Sequence, residues 1–262
     1  MHRGAIPNQT LVIKEHRALV RILQSITAVK VLPFAKQLDI DGLYCHDFVY
    51  SRDSFISNLK GGVMIGNFSE RQRQPEAEAR KRQLLQMNYK IKTLPAGAFA
   101  EGGEFLYAQP ENILFAGQAR NNAWGNRLAA KFLQAETLFE VISAGYHLDT
   151  VMALVKNKAN RVVAALVCLD RISNQRPLVT FLKQKNISLI KVESKDSIGN
   201  GSLGTLAINC LSLSGFLVGS HKFQTPGVDA QLKSLGIKHL VTSVSQFIDF
   251  SGGSIHCLTN EL

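Results

Sequence analysis

The chain has 262 residues, of which 45% are apolar, a composition typical of a globular protein with one large domain or two small ones. The formal net charge of +10 suggests nucleic-acid binding, but the basic residues are dispersed along the chain. In the densest charged stretch, "ERQRQPEAEARKR" (70–82), acids alternate with bases, which is typical of a solvated helix face, so we expect no nucleic-acid partner.

Membrane insertion, secretion and metal binding are not predicted either. No apolar run reaches the roughly 18 residues of a membrane span, and the N-terminal residues lack the apolar core of a signal peptide. We therefore predict a cytoplasmic protein with no membrane contact. The cysteines lack CxxC pairs and zinc-ligand spacing, so we expect reduced thiols, no metal site and no cofactor; they are Cys45, Cys168, Cys210 and Cys257.

Amphipathic helices and short β-type runs alternate along the chain. Apolar spacing predicts helices over residues 10–25, 75–87, 121–134, 174–186 and 225–236. A β-type stretch precedes each of the last four helices, and "EFLYAQPENILFAGQ" before the third helix reads as two strands. Another β-type run follows each of these helices, as in "NYKIKTL" and "KHLVTSV". The repeated unit is strand, strand, helix, strand, and it predicts a single α/β domain over residues 1–262.

The stretch "CHDFVYSRDSF" (45–55) carries two acids, Asp47 and Asp53. Their even spacing would place both on one face of an extended strand, where burial without a partner is costly. Two interpretations stay open. Either an arginine, such as Arg52, forms a salt bridge with them, or they form a carboxylate pair that binds a cation.

Two further stretches combine acids with glycine or histidine. In "AGAFAEGGEFLYA", Glu101 and Glu104 flank a glycine pair, which indicates either close backbone approach or a plain turn with solvated acids. In "SAGYHLDTVMALV", His147 and Asp149 would share a face if the segment were extended, although a lone histidine among apolar residues is more often part of the core.

The C-terminal stretch "GGSIHCLTNEL" (252–262) places Cys257 beside His256, and we expect this segment to be buried, as a strand would be. A buried cysteine is usually an inert core residue. A thiol, a histidine and several carboxylates together are nevertheless the groups used in covalent catalysis. The surplus of acids points to a substrate with a cationic group.

These stretches resemble motifs of the guanidino-group-modifying enzymes: arginine deiminases, dimethylarginine dimethylaminohydrolases and amidinotransferases. The resemblance covers nearly the whole chain, in the family's order, and its most specific parts are "YHLDTVMA" and "GGSIHCLTNEL". It implies the pentein fold, a propeller of five pseudosymmetric ββαβ units. The compact length and "HRGAIP" near the start look more like the dimethylarginine hydrolases than the longer arginine deiminases.

The resemblance also implies roles for individual residues. Cys257 matches the nucleophile, His147 the general acid and base, and Glu101 the acid that orients the histidine. The remaining matches are substrate ligands: Asp53, Asp149 and, more weakly, Asp47 for the guanidinium, and Arg120 with either Arg71 or Arg73 for the α-carboxylate.

The implied activity is hydrolysis at the guanidinium carbon of arginine or N-methylated arginine, through a covalent cysteine adduct, to citrulline and ammonia or a methylamine. An arginine deiminase or an amidinotransferase is the alternative within the family. A non-catalytic pentein binding protein, such as a translation initiation factor, is the alternative from another class. The expected partner is a small guanidino compound, and because family members are often dimers, the resemblance allows a homodimer.

Overall fold

The computed structural model describes residues 6–32, 39–40, 43–44, 47–199 and 203–262. Cys45 and His46 of the first acidic stretch, and residues 2–5 of "HRGAIP", lie outside this part of the chain. Within it, the α-helices are α1 (Gln9–Gln24), α2 (Gln74–Gln86), α3 (Ala123–Leu133), α4 (Gln175–Gln184), α5 (Val228–Ser234), α6 (Ser245–Ser251) and α7 (Ile255–Leu258).

The strands in the same residues are short, and most of them belong to three-stranded sheets. They are β1 (Asp39–Ile40), β2 (Leu43–Tyr44), β3 (Phe55–Ser57), β4 (Gly62–Ile65), β5 (Lys90–Lys92), β6 (Phe105–Ala108), β7 (Ile113–Gly117), β8 (Thr137–Val141), β9 (Met152–Lys156), β10 (Val162–Val167), β11 (Ser188–Lys191), β12 (Leu211–Leu213), β13 (Phe216–Gly219) and β14 (Lys238–Val241).

The predicted strand–strand–helix–strand repeat is confirmed in these residues. Each three-stranded sheet has a central strand that pairs antiparallel with the strand before it and parallel with the strand after the helix. The sheets are β3-β4-β5, β6-β7-β8, β11-β10-β9 and β12-β13-β14. A helix joins the two parallel strands each time, because parallel strands need a long crossover. No sheet in the described residues closes on itself, and the fivefold arrangement stays a prediction.

The chain divides into two compact units: unit I (Met1–Val31 and Asp149–His256) and unit II (Leu32–Leu148 and Cys257–Leu262). The single-domain organisation over residues 1–262 stays a prediction. The predicted helices all form within a few residues of their expected bounds. In the described part of the chain, no helix combines the length and the apolar character that a bilayer crossing requires.

In unit II, strands β3 and β4 of the β3-β4-β5 sheet are buried, whereas strand β5 is largely exposed. Phe55, Val63 and Ile65 pack against Leu84 of α2. The intervening side chains face the other way and join the core of the second sheet, as period-two alternation requires. That cluster contains Ile56, Met64, Ala100, Phe105, Leu114, Ala116, Ala129, Ala130 and Leu133.

In unit I, helices α1 and α6 are joined by a capping carboxylate. Glu15 of α1 accepts hydrogen bonds from the backbone N–H groups of Ser245 (3.1 Å) and Gln246 (3.0 Å) at the start of α6. These N–H groups have no partner within their own helix, so an acid here satisfies them and suits the helix dipole. Strand β10, the central strand of the β11-β10-β9 sheet in this unit, is buried almost throughout.

Three local predictions are wrong. The chain from Asp47 to Asp53 is a pair of turns rather than a strand: the N–H of Tyr50 donates to the carbonyl of Asp47 at 2.9 Å, which closes a turn that side-chain spacing does not reveal. His147 lies in a bend before the 3-10 turn Leu148–Thr150, so it shares no strand face with Asp149. In the C-terminal stretch, residues 252–257 are buried as expected, but residues 255–258 form helix α7 instead of a strand.

Candidate active site

Cys257 lies in α7 as a buried thiol, 3% exposed, and the chain that follows it is tied to the turn before β3. The N–H of Arg52 donates to the carbonyl of Cys257 at 3.1 Å. The hydroxyl of Ser51 donates to the carbonyl of Leu258 at 3.1 Å. The backbone of the predicted nucleophile is therefore held directly by the segment that carries Asp53.

Asn260 strengthens this attachment with its side-chain amide. Its Nδ2 donates to the carbonyls of Ser51 (3.0 Å) and Phe55 (2.8 Å), which lie on either side of Asp53. Arg52 Nη1 forms a salt bridge with Glu261 Oε2 at 2.9 Å. Asn260 thus fixes both ends of the turn that presents Asp53.

His147 lies between two carboxylates of unit II. Its Nε2 is 2.8 Å from Glu101 Oε2, and its Nδ1 is 3.4 Å from Asp53 Oδ1. All three side chains are buried. Burial alone would raise the pKa of Glu101, but the hydrogen bond and charge of His147, the charge of Arg73 and the N–H of Ser69 hold that pKa below its usual value. Glu101 is therefore a charged partner for the imidazole.

The glycine pair allows these groups to meet, and the predicted close backbone approach is confirmed. A Cβ on Gly102 would lie 1.9 Å from the carbonyl oxygen of Arg52. A Cβ on Gly103 would lie 2.7 Å from Asp53 Oδ1 and 2.8 Å from His147 Nδ1. Only residues without a side chain let this turn pack between the Asp53 turn and the imidazole.

Arg73 supplies a guanidinium to the same acids. Its Nη1 lies 2.9 Å from Asp53 Oδ2 and 3.8 Å from Glu101 Oε2. Its Nε and Nη2 each donate to one oxygen of Glu76 at 2.9 Å, and its guanidinium carbon lies 4.6 Å from the ring centroid of Phe68. Burial lowers the pKa of Arg73, but Asp53 and Glu76 outweigh it and raise that pKa above the usual value.

One guanidinium is shared by three buried carboxylates here, those of Asp53, Glu76 and Glu101, so it compensates none of them fully. Burial raises the pKa of Glu76 to about 7, although the bidentate contact with Arg73 opposes the shift. The negative charges of Asp53 and Asp47 add to the rise. Asp47 itself is half-buried. The negative charge of Asp47 also contributes to the raised pKa of Arg73.

The other predicted arginines are placed differently. Arg71 lies in the 3-10 turn Arg71–Arg73 and is exposed. Of these two predicted α-carboxylate ligands, Arg73 is the one that contacts the buried acids of the site. The guanidinium of Arg120 pairs with Glu70, and both groups are part-exposed. The backbone N–H of Arg120 donates to Glu104 Oε1 at 2.6 Å.

Asp149 belongs to unit I, where its Oδ2 lies 2.7 Å from Nδ1 of His256. Both side chains are buried. The Asp149 carbonyl accepts a hydrogen bond from Asn209 Nδ2 at 3.1 Å. Asp149 thus has a histidine partner of its own in unit I, one that the sequence interpretation did not assign.

Sequence reasoning missed the parts played by Glu76 and Asn260. The i,i+3 spacing of Arg73 and Glu76 in "RQRQPE" was a usable signal, because such positions are neighbours on a helix surface. Nothing local identifies Asn260, since its partners Ser51 and Phe55 lie about 200 positions away along the chain.

Solved structures share this fold at low sequence identity. A variant of the N-terminal domain of ArgZ, covalently bound to a reaction intermediate, matches with a TM-score of 0.81 and 20% identity over 98% of this chain and 89% of that one. ArgZ is described as an arginine dihydrolase from the ornithine–ammonia cycle in Cyanobacteria. A dimethylarginine dimethylaminohydrolase adduct with 4-chloro-2-hydroxymethylpyridine matches with a TM-score of 0.71 and 17% identity over 98% and 92%.

A third match, unliganded AgrE, has a TM-score of 0.81 and 20% identity, and this chain spans 36% of its length. A search of curated protein sequences found no significant match. The shared architecture is a mixed α/β fold of the pentein type. The protein is a C–N hydrolase that acts on amidines.

The family follows from the sequence model that matches the chain. The protein belongs to the family described as N,N dimethylarginine dimethylhydrolase, eukaryotic, whose model matches residues 4–262. The resemblance stated from the motifs is confirmed, and the alternative of a non-catalytic binding protein is set aside. The roles of the individual residues remain predictions.

Proposed function

We propose that the protein hydrolyses the guanidinium group of arginine or an N-methylated arginine, releasing citrulline with ammonia or a methylamine. One observation carries the proposal. The imidazole of His147 lies between the carboxylates of Glu101 (2.8 Å) and Asp53 (3.4 Å), in the unit that also contains the buried thiol of Cys257. This set of groups suits covalent attack on a flat cation.

In the proposed first step, the thiolate of Cys257 adds to the guanidinium carbon and forms a C–S bond. The C–N bond to the departing amine then breaks, and that nitrogen takes a proton from His147. A positively charged thiouronium adduct remains on the sulfur. Glu101 orients the imidazole throughout, because its carboxylate is bound to Nε2.

In the second step, neutral His147 removes a proton from water, and the oxygen adds to the same carbon. The C–S bond breaks, sulfur leaves as the thiolate, and the ureido product forms as its extra proton passes to solvent. A transferase would admit an amine instead of water at this step, which is how the amidinotransferase alternative differs.

Guanidinium binding by Asp53, supported by Asp47 and Asp149, is part of the proposal. The carboxylate of Asp53 already holds a guanidinium, that of Arg73, at 2.9 Å. Charge-assisted bonds of this kind contribute about 1.5–3 kcal/mol each. In our account the substrate replaces Arg73 at Asp53, and a released Arg73, or Arg71, joins Arg120 at the α-carboxylate.

Arg120 is proposed as the first ligand of that α-carboxylate. Its guanidinium pairs with the part-exposed carboxylate of Glu70, so this position already accepts an anionic oxygen. A substrate carboxylate would take the place of Glu70. Arginine is the suited side chain because its planar donors match two carboxylate oxygens.

A colorimetric citrulline assay tests the proposal. Arginine, monomethylarginine, dimethylarginine and agmatine would be supplied separately, with and without glycine as an amine acceptor. We expect a ureido product from an arginine compound without glycine, and the released amine distinguishes dimethylarginine hydrolysis from arginine deimination. Guanidinoacetate and ornithine formed from arginine only with glycine, detected by mass spectrometry because neither is a ureido compound, would favour an amidinotransferase.

The matched variants are Cys257→Ser and Cys210→Ser. Both cysteines are buried, so each change perturbs a core thiol, but only the first removes the proposed nucleophile. Cys257→Ser should lose nearly all turnover and keep its fold by circular dichroism. Cys210→Ser should retain turnover. Equal retention in both variants would refute the assignment.

A further inference from the structure

Glu104 is the acid that the proposed mechanism leaves unused. It ends the 3-10 turn Gly102–Glu104, directly before β6, and its side chain is fully buried. A buried carboxylate is costly unless hydrogen bonds satisfy it. Its contacts therefore identify what it does in the fold.

Both oxygens of Glu104 accept hydrogen bonds from backbone N–H groups. Oε1 accepts from Arg120 at 2.6 Å, and Oε2 accepts from Leu148 at 2.8 Å. Arg120 lies in the loop between β7 and α3, and Leu148 directly follows His147 in the chain. One carboxylate thus joins the loop of the proposed α-carboxylate ligand to the turn of the proposed acid and base.

Gly117, the last residue of β7, makes room for this carboxylate. A Cβ at this position would lie 1.8 Å from Glu104 Oε2 and 3.1 Å from the Cβ of Leu148. Any other residue here would displace the side chain of Glu104 or the strand. The close fit indicates a built contact between β7, Glu104 and the His147 turn.

We propose that Glu104 is a positioning residue, which fixes the His147 turn and the Arg120 loop relative to each other through their backbones. The inference rests on the proposed function. The two ends of a guanidino amino acid would be bound by these two segments. The reacting carbon would be near His147 and the α-carboxylate near Arg120, so their separation sets which substrates fit.

Both oxygens of Glu104 must act as acceptors in this role. Burial raises its pKa above the usual value and the charge of Glu101 adds to the rise, while His147 and the two backbone donors favour the ionised form without cancelling the rise. The ionised carboxylate accepts at both oxygens. Its neutral amide counterpart, glutamine, has the same size but turns an NH₂ group toward one of the two N–H donors. One of the two segments must then move away.

The test compares Glu104→Gln with Asp196→Asn. Asp196 is also a fully buried carboxylate that accepts from backbone N–H groups, those of Gln224 (3.0 Å) and Thr225 (2.6 Å) in unit I. Losing either carboxylate should lower thermal stability. Only Glu104 is bonded to segments that carry proposed site residues, so only its loss should change how the substrate is handled.

Arginine and agmatine test the His147 turn and the Arg120 loop separately. Arginine has the α-carboxylate that Arg120 would bind, whereas agmatine has the same guanidinium without it. In Glu104→Gln, kcat should fall for both compounds, and KM should rise for arginine alone. A displacement of about 1 Å is enough to lower kcat/KM for arginine by about 100-fold. Asp196→Asn should keep the wild-type ratio of kcat/KM for arginine over agmatine.

Hydrogen–deuterium exchange gives a readout that needs no turnover. In Glu104→Gln, the amides of Arg120 and Leu148 should exchange faster than in the wild type, and in Asp196→Asn they should not. Gly117→Ala displaces the same carboxylate from the other side, and it is the second variant if Glu104→Gln yields little folded protein.

The outcomes are distinct. The inference alone is overturned if the wild type is active and Glu104→Gln keeps both the wild-type kcat and the wild-type ratio of kcat/KM for arginine over agmatine. The same kinetic loss in Asp196→Asn would reduce Glu104 to a structural residue and overturn it too. A wild type that converts no guanidino compound would sink the proposed function, and the inference with it.

Discussion

Arg73 Nη1 lies 2.9 Å from Asp53 Oδ2, and both side chains are buried. The sequence left two interpretations of Asp53 open, a structural salt bridge or a guanidinium ligand. The Arg73–Asp53 pair is the salt bridge of the first interpretation. It also places a guanidinium where the proposed function places the guanidinium of the substrate.

Removing Arg73 should take away the guanidinium that Asp53 and Glu76 share, while both carboxylates stay buried. Breaking a buried ion pair by deleting one partner costs about 3–5 kcal/mol, so Arg73→Ala should unfold at lower denaturant concentration than the wild type. Guanidinium chloride at a few millimolar should raise the melting temperature of this variant by occupying the vacated site.

The control is Arg71→Ala, which removes an exposed arginine from the same turn and should change stability by less than about 0.5 kcal/mol. Sodium chloride at equal concentration excludes a general salt effect. If guanidinium does not stabilise Arg73→Ala beyond sodium chloride, Asp53 and Glu76 do not form a guanidinium site.

Glu76 should make the stability of the protein depend on pH. Its pKa is raised to about 7 by burial, so the folded state binds a proton more tightly than the unfolded state. The stability contributed by this proton is fully present below the unfolded pKa of about 4.3 and is lost as pH rises through about 7.

Glu76→Gln removes that dependence. The free energy of unfolding of this variant minus that of the wild type should therefore increase from pH 5 to pH 8, by at most roughly 3 kcal/mol. Urea titrations across this range measure it. Glu78→Gln, an exposed change on the same helix, is the matched control for replacing a glutamate with glutamine. A difference that falls with pH would mean that Glu76 is stabilised in its charged form.

The fold was more predictable from the sequence than the site was. The amphipathic segments and their flanking β-type runs gave the repeat, because helix and strand periodicity are local properties. Helix α6 was missed, since its seven residues are too few to show a clear helical period and its N-cap residue, Val244, makes no side-chain capping bond. The turn at Asp47 was missed because its hydrogen bond to Tyr50 is a backbone contact with no side-chain signature.

The residue types at the site were predictable from the motifs, but their partners were not. Arg73 meets Asp53 across 20 positions of the chain, and His256 meets Asp149 across 107. Such pairings depend on how strands and turns pack, which a single sequence does not encode in its spacing. Glu101 and His147 were assigned roles from the resemblance, whereas their 2.8 Å contact came only from the structure.

Asn260 should be needed to present Asp53 and Cys257 correctly. Its amide bonds to Ser51 and Phe55 hold the Asp53 turn against the chain that follows Cys257. Asn260→Ala should lower stability by about 1–3 kcal/mol, because it leaves buried carbonyls without a donor. It should also change the rate at which iodoacetamide alkylates Cys257.

The matched change is Asn157→Ala, which removes a turn-holding side chain that accepts from the N–H groups of Ala159 and Arg161 at 3.0 Å in unit I. It should cost less stability, because these hydrogen bonds are exposed to solvent, and it should leave the alkylation rate unchanged. Equal alkylation rates in both variants would mean that Asn260 contributes only to folding.

The most direct measurement of the central claim is intact-protein mass spectrometry of His147→Ala after incubation with arginine and with dimethylarginine. His239→Ala, which removes a histidine paired with Asp229 at 2.7 Å in unit I, is the control and should turn over without accumulating an adduct. Our account predicts that His147→Ala gains the mass of the guanidino compound less its leaving amine, mapped to Cys257, because solvent can still protonate the departing amine slowly whereas no base activates water to release the adduct. Undiminished turnover by His147→Ala, or an adduct on another residue, would contradict it.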